Sequence, residues 1–454
     1  MTERLLVVGG DAAGMSAASQ ARRRRTADDL KIVAFERGND TSYSACGIPY
    51  WIAGLVDDRD DLIARSPQEF RERQQIQVHL RSEVVAVDVD RRTVEVWDHT
   101  EGTARHEGWD QLLLATGAAP IRPPLPGLDV GGVFGVQTLD EGAAVHAFID
   151  EHDVRRAVVV GGGYIGLEMA EAMVERGIEV HLLQRSTHLM PTLDAEMGEL
   201  VADALRALGV HVHLERPATS FEAGPDGNVV AVGTPDGELP ADLVFLGLGT
   251  RPRADLAVEA GIPVGHTGGI LTDACQRTSI DGVWAAGDCA ETFHRVARQG
   301  VAIALGTIAN KQGRVAGINL GGEPATFPGV LGTAITRVMD SEIARTGLTS
   351  WEAAEIGQPC DVVTIQSTTT AGYFPGASPM QVRMTFDPSD GRVLGAQIVG
   401  GPGAGKRIDT VATALWNEMT VGDLLNVDLA YAPPFSGVWD PVLVAARKAW
   451  QATR

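Results

Sequence analysis

The sequence predicts an α/β fold built from two strand–glycine turn–helix–strand units, followed by an α+β segment. Three observations lead there. Residues 4–37 read "RLLVVGG", "DAAGMSAASQARRRR" and "LKIVAFER", a buried strand, a glycine turn opening a helix, and a second strand. The same order returns over 156–185 as "RAVVVGGG", "YIGLEMAEAMVERG" and "IEVHLLQR". After about residue 328 the glycine turn disappears and alternating strands take over, "GTAITRVMD", "DVVTIQS", "QVRMTFD" and "RVLGAQIVG", with helices behind them.

With 454 residues the chain has room for two to four domains, at about 100–200 residues each. Its 59 acidic against 38 basic residues give a net charge of -21, which repels nucleic acid and anionic membrane surfaces. A polyanionic substrate therefore needs a local basic patch. "MTERLLVVGG" enters a strand without a basic region, apolar run and cleavage site, so no secretory signal is expected. No apolar stretch approaches the roughly 20 residues of a membrane-spanning helix. The four cysteines, Cys46, Cys275, Cys289 and Cys360, have neither metal-ligand spacing nor the density of a disulfide framework. No metal site is expected, and the cytoplasm is the default location.

Each glycine turn has its own quality. In the second unit Gly161, Gly163 and Gly166 satisfy G-x-G-x-x-G between strand and helix, where backbone can approach a pyrophosphate at a helix N-terminus. The first unit keeps Gly9 and Gly14, but Asp11 replaces the middle glycine. Glu36 closes its second strand, placed to accept hydrogen bonds from an adenosine ribose, with Arg37 beside it. The alternative for either turn is a tight bend without a ligand. Two Rossmann-like sites in one chain imply two dinucleotides, and a cofactor that relays electrons from a nicotinamide is commonly a flavin. FAD is therefore assigned to the first unit and NAD(P)H to the second. Gln184 stands where a carboxylate would oppose an added ribose phosphate, and Arg185 and His188 follow, which favours NADPH while leaving NADH open. A solvated arginine at a strand end is the plainer reading of Arg185.

Between the units, "WDQLLLATGAAP" (109–120) is a buried strand running into a turn, and "PIRPPLPG" (120–127) reads as a linker. "SIDGVWAAGDCAE" (279–291) is a further strand ending in Gly-Asp. The expected division is a discontinuous FAD domain over 1–118 and 250–325, an NAD(P) domain over 119–249 inserted within it, and an interface domain over 326–454.

The ordered motifs "GGDAAGMSAA", "LLLATGAAP", "GGGYIGLE" and "WAAGDCAE" resemble the FAD-dependent pyridine nucleotide-disulfide oxidoreductase superfamily along the whole chain. The resemblance implies a glutathione reductase-like fold with a C-terminal α+β dimerisation domain. It also implies that Asp288 bonds the ribityl chain of FAD, that Thr116 and Gly117 close the flavin domain, that Tyr164 gates the nicotinamide pocket, and that Glu168 lies near flavin and nicotinamide. Within the superfamily, "SYSACGIPYWIAG", "AGYFPGA" and "AYAPPFSGVWDP" look like the coenzyme A disulfide reductase branch.

The stretch "TSYSACGIPYW" (41–51) carries a single thiol. Reductases of the glutathione type have two cysteines separated by four residues, but here those positions are Thr41 and Trp51, and no histidine follows His294. A lone cysteine can instead alternate between thiolate and a mixed disulfide, sulfenic acid or persulfide. An ordinary thiol, with pKa about 8.5, is mostly protonated at neutral pH, so the site is expected to favour the thiolate. A helix opened by Gly47-Ile48-Pro49 contributes about 0.3–1 kcal/mol, less than one pKa unit, and the oxidised flavin is expected to add the rest. The plain alternative is a small buried hydrophobe, which is the favoured reading of the other three cysteines.

The branch resemblance implies a coenzyme A pocket beside Cys46, with matching positions Ser16, Gln20, Arg23 and Ser42. Ser16, Gln20 and Arg23 share one helix face by their i, i+4, i+7 spacing, while Ala17, Ala18 and Ala21 face away. Arg22 to Arg25 either supply charge for coenzyme A phosphates or complement the helix dipole in solvent. Ala45 stands where matching enzymes often have asparagine, which removes a hydrogen bond to the bound thiol. Tyr373 and Tyr431 match tyrosines that this branch supplies from the partner subunit to protonate a leaving thiolate, so a homodimer is implied. Alternative functions are an NAD(P)H oxidase or peroxidase, disfavoured by Ala12 where that branch carries histidine, a polysulfide or persulfide reductase, and, from another class, a redox-sensing or electron-carrier flavoprotein.

Overall fold

Apolar runs ending in glycine set the two parallel sheets. In the computed structural model, which describes residues 2–454, Leu5, Leu6 and Val7 are wholly buried, as strands covered on both faces require. The first sheet runs in the order Val283–Ala285, Gln111–Leu114, Glu3–Val8, Leu30–Phe35, Ile76–His79, all parallel. A strand from residue 283 therefore lies in the same sheet as the N-terminus. The helix Ala12–Arg22 turns its small residues to the helix Gly306–Leu320. The approach is close: a methyl on Gly313 or Gly317 would lie 2.2 Å from the carbonyl oxygen of Ala13 or Ala17.

The second parallel sheet runs His211–His213, Glu179–Leu183, Arg156–Val160, Leu243–Leu246, Val133–Phe134. An antiparallel three-stranded sheet (Ser220–Ala223, Val229–Thr234, Gly237–Pro240) packs against one of its faces through Phe221, Val229 and Val232. A third sheet, five-stranded and antiparallel, has the order Ala334–Val338, Ser341–Gly347, Val393–Gly400, Pro379–Phe386, Asp361–Thr368. The helices Ile408–Trp416 and Pro441–Ala452 cover it. The sequence pattern anticipates four of these five strands. The fifth, Ser341–Gly347, escapes because it carries two charged residues, Glu342 and Arg345, in seven. Arg345 is nonetheless buried, held by both oxygens of Glu352 at 2.9 and 2.7 Å. Likewise "SIDGVWAAGDCAE" contributes a strand of only three residues.

One apolar cluster joins the three modules. Ile48, Trp51, Ile52 and Leu62 pack with Leu167, Met169 and Met173 of the second unit and with Val338, Ile343 and Val399 of the third sheet. Each such buried side chain contributes about 1.5–3 kcal/mol, so the segment carrying Cys46 is anchored from three directions. A polar knot reinforces the junction. The Asp194 carboxylate accepts from Arg383 Nε at 2.6 Å, Gln397 Nε2 at 2.8 Å and Ser350 Oγ at 2.8 Å. Burial alone would raise its pKa, but these three donors leave it lowered. Among the described residues no helix is long and apolar enough to cross a membrane.

Candidate active site

The two glycine turns are built alike. Gly9 and Gly161 both take φ of +107°, and a methyl on either would collide with a carbonyl oxygen of the neighbouring strand end, Ala115 at 2.1 Å and Gly247 at 2.3 Å. Gly14 and Gly166 let each helix close onto its turn, since a methyl there would lie 2.0 Å from the Gly9 oxygen or 1.8 Å from the Gly161 oxygen. Neither Asp11 nor Gly163 caps its helix with a side chain, which leaves N-terminal amides available to a pyrophosphate. Around Gly163 a methyl would meet nothing.

The ends of the second strands correspond as well. Glu36 Oε2 accepts from Gly10 N at 2.8 Å, and its Oε1 from Gly38 N at 2.8 Å. In the second unit Gln184 Oε1 accepts from Gly162 N at 3.0 Å. Glutamine thus keeps the contact to the glycine turn while removing the charge. Arg37 and Arg185 are both exposed beside these residues.

At the carboxyl end of the strand Val283–Ala285 lies Asp288, whose Oδ1 is buried without a hydrogen-bond partner. Burial lifts its carboxyl to about 6. Such an orphaned acceptor in front of the first glycine turn suits a hydroxyl donor, and with the Gly9–Gly14 cradle and Glu36 it fits FAD. Thr116 Oγ1 donates to the Arg253 carbonyl at 2.5 Å, and Gly117, at φ +71°, accepts from Arg253 N at 2.9 Å, which ties the strand Gln111–Leu114 to the returning chain.

Cys46 lies in a 3₁₀ turn, Ala45–Gly47, followed by the short helix Ile48–Ile52 with Pro49 in its first turn. Gly47 packs closely there, since a methyl would lie 2.3 Å from Leu62 Cδ2 and would have to displace that side chain. The preceding segment is pinned to the first glycine turn: Ser42, at φ +50°, gives its N–H to Gly10 O at 3.3 Å, and Thr41 Oγ1 donates to the same oxygen. Among the described residues Cys46 is the exposed thiol, while Cys289 is buried and Cys275 and Cys360 are half-buried.

The chain's own groups do not favour the thiolate. Desolvation, then the carboxyls of Glu168 and Asp288, push the Cys46 thiol up. Glu168 is itself raised by burial to about 7, although Thr336 Oγ1 donates to it at 3.1 Å. Asp11, the residue in place of the middle glycine, is raised to about 6 by burial and by Glu36. Desolvation and the chain's own charges therefore raise the thiol pKa, and the five-residue helix does not offset them, so any stabilisation of the thiolate falls to the bound flavin. Tyr164 opens the second-unit helix half-buried, its phenol raised by desolvation.

Ser16, Gln20 and Arg23 do lie along the outer face of their helix, with Ala17, Ala18 and Ala21 wholly buried. Ser16 donates to Asn310 O at 3.1 Å. Of the four arginines, Arg22 caps the Gln74, Arg25 and Leu30 carbonyls, and Arg24 and Arg25 pair with Glu323 and Glu3. Only Arg23 remains unpaired among the described residues. Tyr373 and Tyr431 are exposed on the C-terminal module next to each other, and no hydrogen bond links either to Cys46 within one chain. Sequence reasoning missed Thr336 and Glu171. Glu171 is buried three residues after Glu168, accepting from Met339 N at 2.8 Å. Its signal was an acidic residue on the otherwise apolar face of "GLEMAEAMVE".

Residues 3–336 match the pyridine nucleotide-disulphide oxidoreductase family model, and residues 333–442 match the dimerisation domain of that family. The chain belongs to this family. It is an FAD-dependent oxidoreductase using NAD(P)H, with two Rossmann-type modules and a dimerisation domain. It is 38% identical to the NAD(P)H coenzyme A polysulfide/persulfide reductase of Pyrococcus horikoshii, over 98% of both chains. It is 29% identical to the coenzyme A disulfide reductase of Staphylococcus epidermidis, over 98% of this chain and 99% of that one. NADH oxidases also stand among its relatives. The crystal structure of reduced Bacillus anthracis CoADR-RHD superposes with a TM-score of 0.96 at 33% identity, over all of this chain and 81% of that one.

Proposed function

We propose that this family member acts as a homodimer that reduces coenzyme A disulfide, or a related small disulfide or persulfide, at Cys46. The observation that carries the reading is the setting of that thiol. It is exposed, anchored where the three modules meet, and within the electrostatic reach of Asp288 from the first unit and Glu168 from the second. The FAD domain comprises 1–118 and 250–325, and the NAD(P) domain 119–249.

Gly9, Gly14, Glu36, Arg37, Thr116, Gly117 and Asp288 hold FAD, which when bound supplies a two-electron relay between nicotinamide and sulfur. Gly161, Gly163 and Gly166 seat the NAD(P)H pyrophosphate, with Tyr164 and Glu168 at the nicotinamide end. Neutral Gln184 and exposed Arg185 favour the extra phosphate of NADPH without excluding NADH. Ser16, Gln20, Arg23 and Ser42 line the approach for coenzyme A. The Cys46 thiolate attacks one sulfur of the disulfide, a mixed disulfide forms, and the other half leaves as a thiolate. Tyr431 and Tyr373 of the second subunit protonate it. Two electrons then cleave the mixed disulfide, so one NAD(P)H and one proton convert RSSR to two RSH.

Anaerobic turnover of Cys46→Ser tests this. Nicotinamide-dependent flavin bleaching should persist while coenzyme A disulfide and persulfide reduction fall to background. Equal turnover in both proteins refutes it, and oxygen consumption unchanged by the substitution would favour an oxidase.

A further inference from the structure

Apart from the redox centre, the free edge of the second parallel sheet carries a cluster of side chains with no part in the function proposed above. The strands Glu179–Leu183 and His211–His213 pair in parallel with His181 opposite His211, so Glu179, His181, His211 and His213 project from one face. The His181 and His211 rings stack with centroids 4.5 Å apart. His181 Nε2 lies 3.2 Å and His211 Nε2 3.6 Å from the same oxygen of Glu179. One ligand atom from each of the three residues falls within 4.8 Å of the others.

These separations match a metal polyhedron. Two ligands at about 2.0–2.1 Å from a tetrahedral ion stand about 3.3 Å apart, between the two observed distances. Two imidazoles and a carboxylate are the donor set that zinc-class divalent ions prefer. We infer that Glu179, His181 and His211 bind one divalent transition-metal ion of the zinc class, with water completing its coordination.

The surroundings supply the outer partner such a site needs. His181 Nδ1 faces His213 Nε2 at 3.0 Å, so a proton on Nδ1 can be donated to His213 while Nε2 faces the metal. Arg216 Nη1 competes for that arrangement. It lies 3.2 Å from His213 Nδ1, and while it donates there, His213 carries its proton on Nε2 and the chain of hydrogen bonds runs toward Glu179. Binding therefore shifts one tautomer along the chain and ends the Arg216–His213 hydrogen bond, while Arg216 keeps the ion pair that its other nitrogen makes with Asp236. Glu179 is the anionic ligand, and Arg216 and Arg156 are the neighbouring cations that limit affinity.

The test is titration of zinc chloride into the chelator-treated, FAD-loaded full chain, followed by calorimetry, with cobalt(II) chloride as the optical probe. One ion per chain is expected, with a cobalt spectrum of nitrogen and oxygen ligation. His211→Ala should abolish saturable binding, and His213→Ala should weaken it about 10- to 100-fold. Glu179 and His211 are exposed, so these variants should keep wild-type flavin content and circular dichroism. Stoichiometric binding retained in the His181→Ala/His211→Ala pair overturns the inference. So does a cobalt spectrum dominated by thiolate charge transfer, which is read on the unaltered protein and needs no variant to fold.

Discussion

Gly166→Ala and Gly14→Ala form a paired test of which cofactor each unit holds. In the second unit the new methyl lies 1.8 Å from the Gly161 carbonyl oxygen and 3.3 Å from Val159 Cγ1. Ordinary contact begins near 3.4 Å, so the helix must recede by about 1.6 Å, because backbone, unlike a side chain, has no alternative rotamer. Overpacking of this kind costs about 1–3 kcal/mol of stability. The functional cost is larger, since a 1 Å displacement of a positioning element can cost about 100-fold in rate. Gly166→Ala should thus purify with full flavin content and lose about 100-fold in kcat/KM for NAD(P)H, measured by anaerobic stopped-flow reduction of the flavin. Gly14→Ala, with its methyl 2.0 Å from the Gly9 oxygen, should emerge depleted in flavin. If Gly166→Ala loses FAD while its nicotinamide kinetics stay normal, the two units have been assigned the wrong way round.

Glu168→Gln removes the stronger of the two carboxyl charges that oppose Cys46 ionisation after desolvation, so the thiol pKa should fall. The pH profile of alkylation by iodoacetamide should move to lower pH, and an unmoved profile would remove Glu168 from the thiol's environment. Arg185→Ala should raise KM for NADPH by about 10-fold or more, the worth of one charge-assisted hydrogen bond, and leave KM for NADH nearly unchanged. Equal effects on both would make Arg185 a solvated side chain. Asp194→Ala takes the closer of two carboxylates from the nearly buried Arg383, leaving Glu196 at 3.6 Å, and should cost about 3 kcal/mol in chemical denaturation. Because folding lowers the Asp194 pKa, its contribution is full above the ordinary carboxylate range and disappears as pH falls through the lowered value. The difference between wild type and variant should therefore narrow in acid.

What could be read in the sequence was local. Each glycine turn is specified within about 30 residues by strand, turn and helix signals, so both units, their strand ends at Glu36 and Gln184, and the thiol segment were legible before any contact was known. The junction was not. Asp194 meets Arg383 and Gln397 across 189 and 203 residues, and nothing in the neighbourhood of any one of them announces the pairing. The strand Ser341–Gly347 was hidden for a more local reason, because Arg345 is a poor strand-core residue until Glu352, seven residues on, neutralises it. His181 and His211 look isolated in sequence, and only the parallel register brings them together.

The thiol's electrostatics depend on that same non-local assembly. Glycine, isoleucine and proline after Cys46 suggested a helix that would favour the thiolate, and the helix exists, but it is one turn long. Against it stand carboxyls delivered from 122 and 242 residues away, Glu168 and Asp288, together with the desolvation imposed by the three-way packing. The latter effects win. A protonated thiol is a poor nucleophile and a slow target for oxidants. On the function proposed above, the positive character that favours the Cys46 thiolate is therefore supplied by bound groups rather than by the chain, since neutralising Glu168 or Asp288 lowers the cost of ionisation.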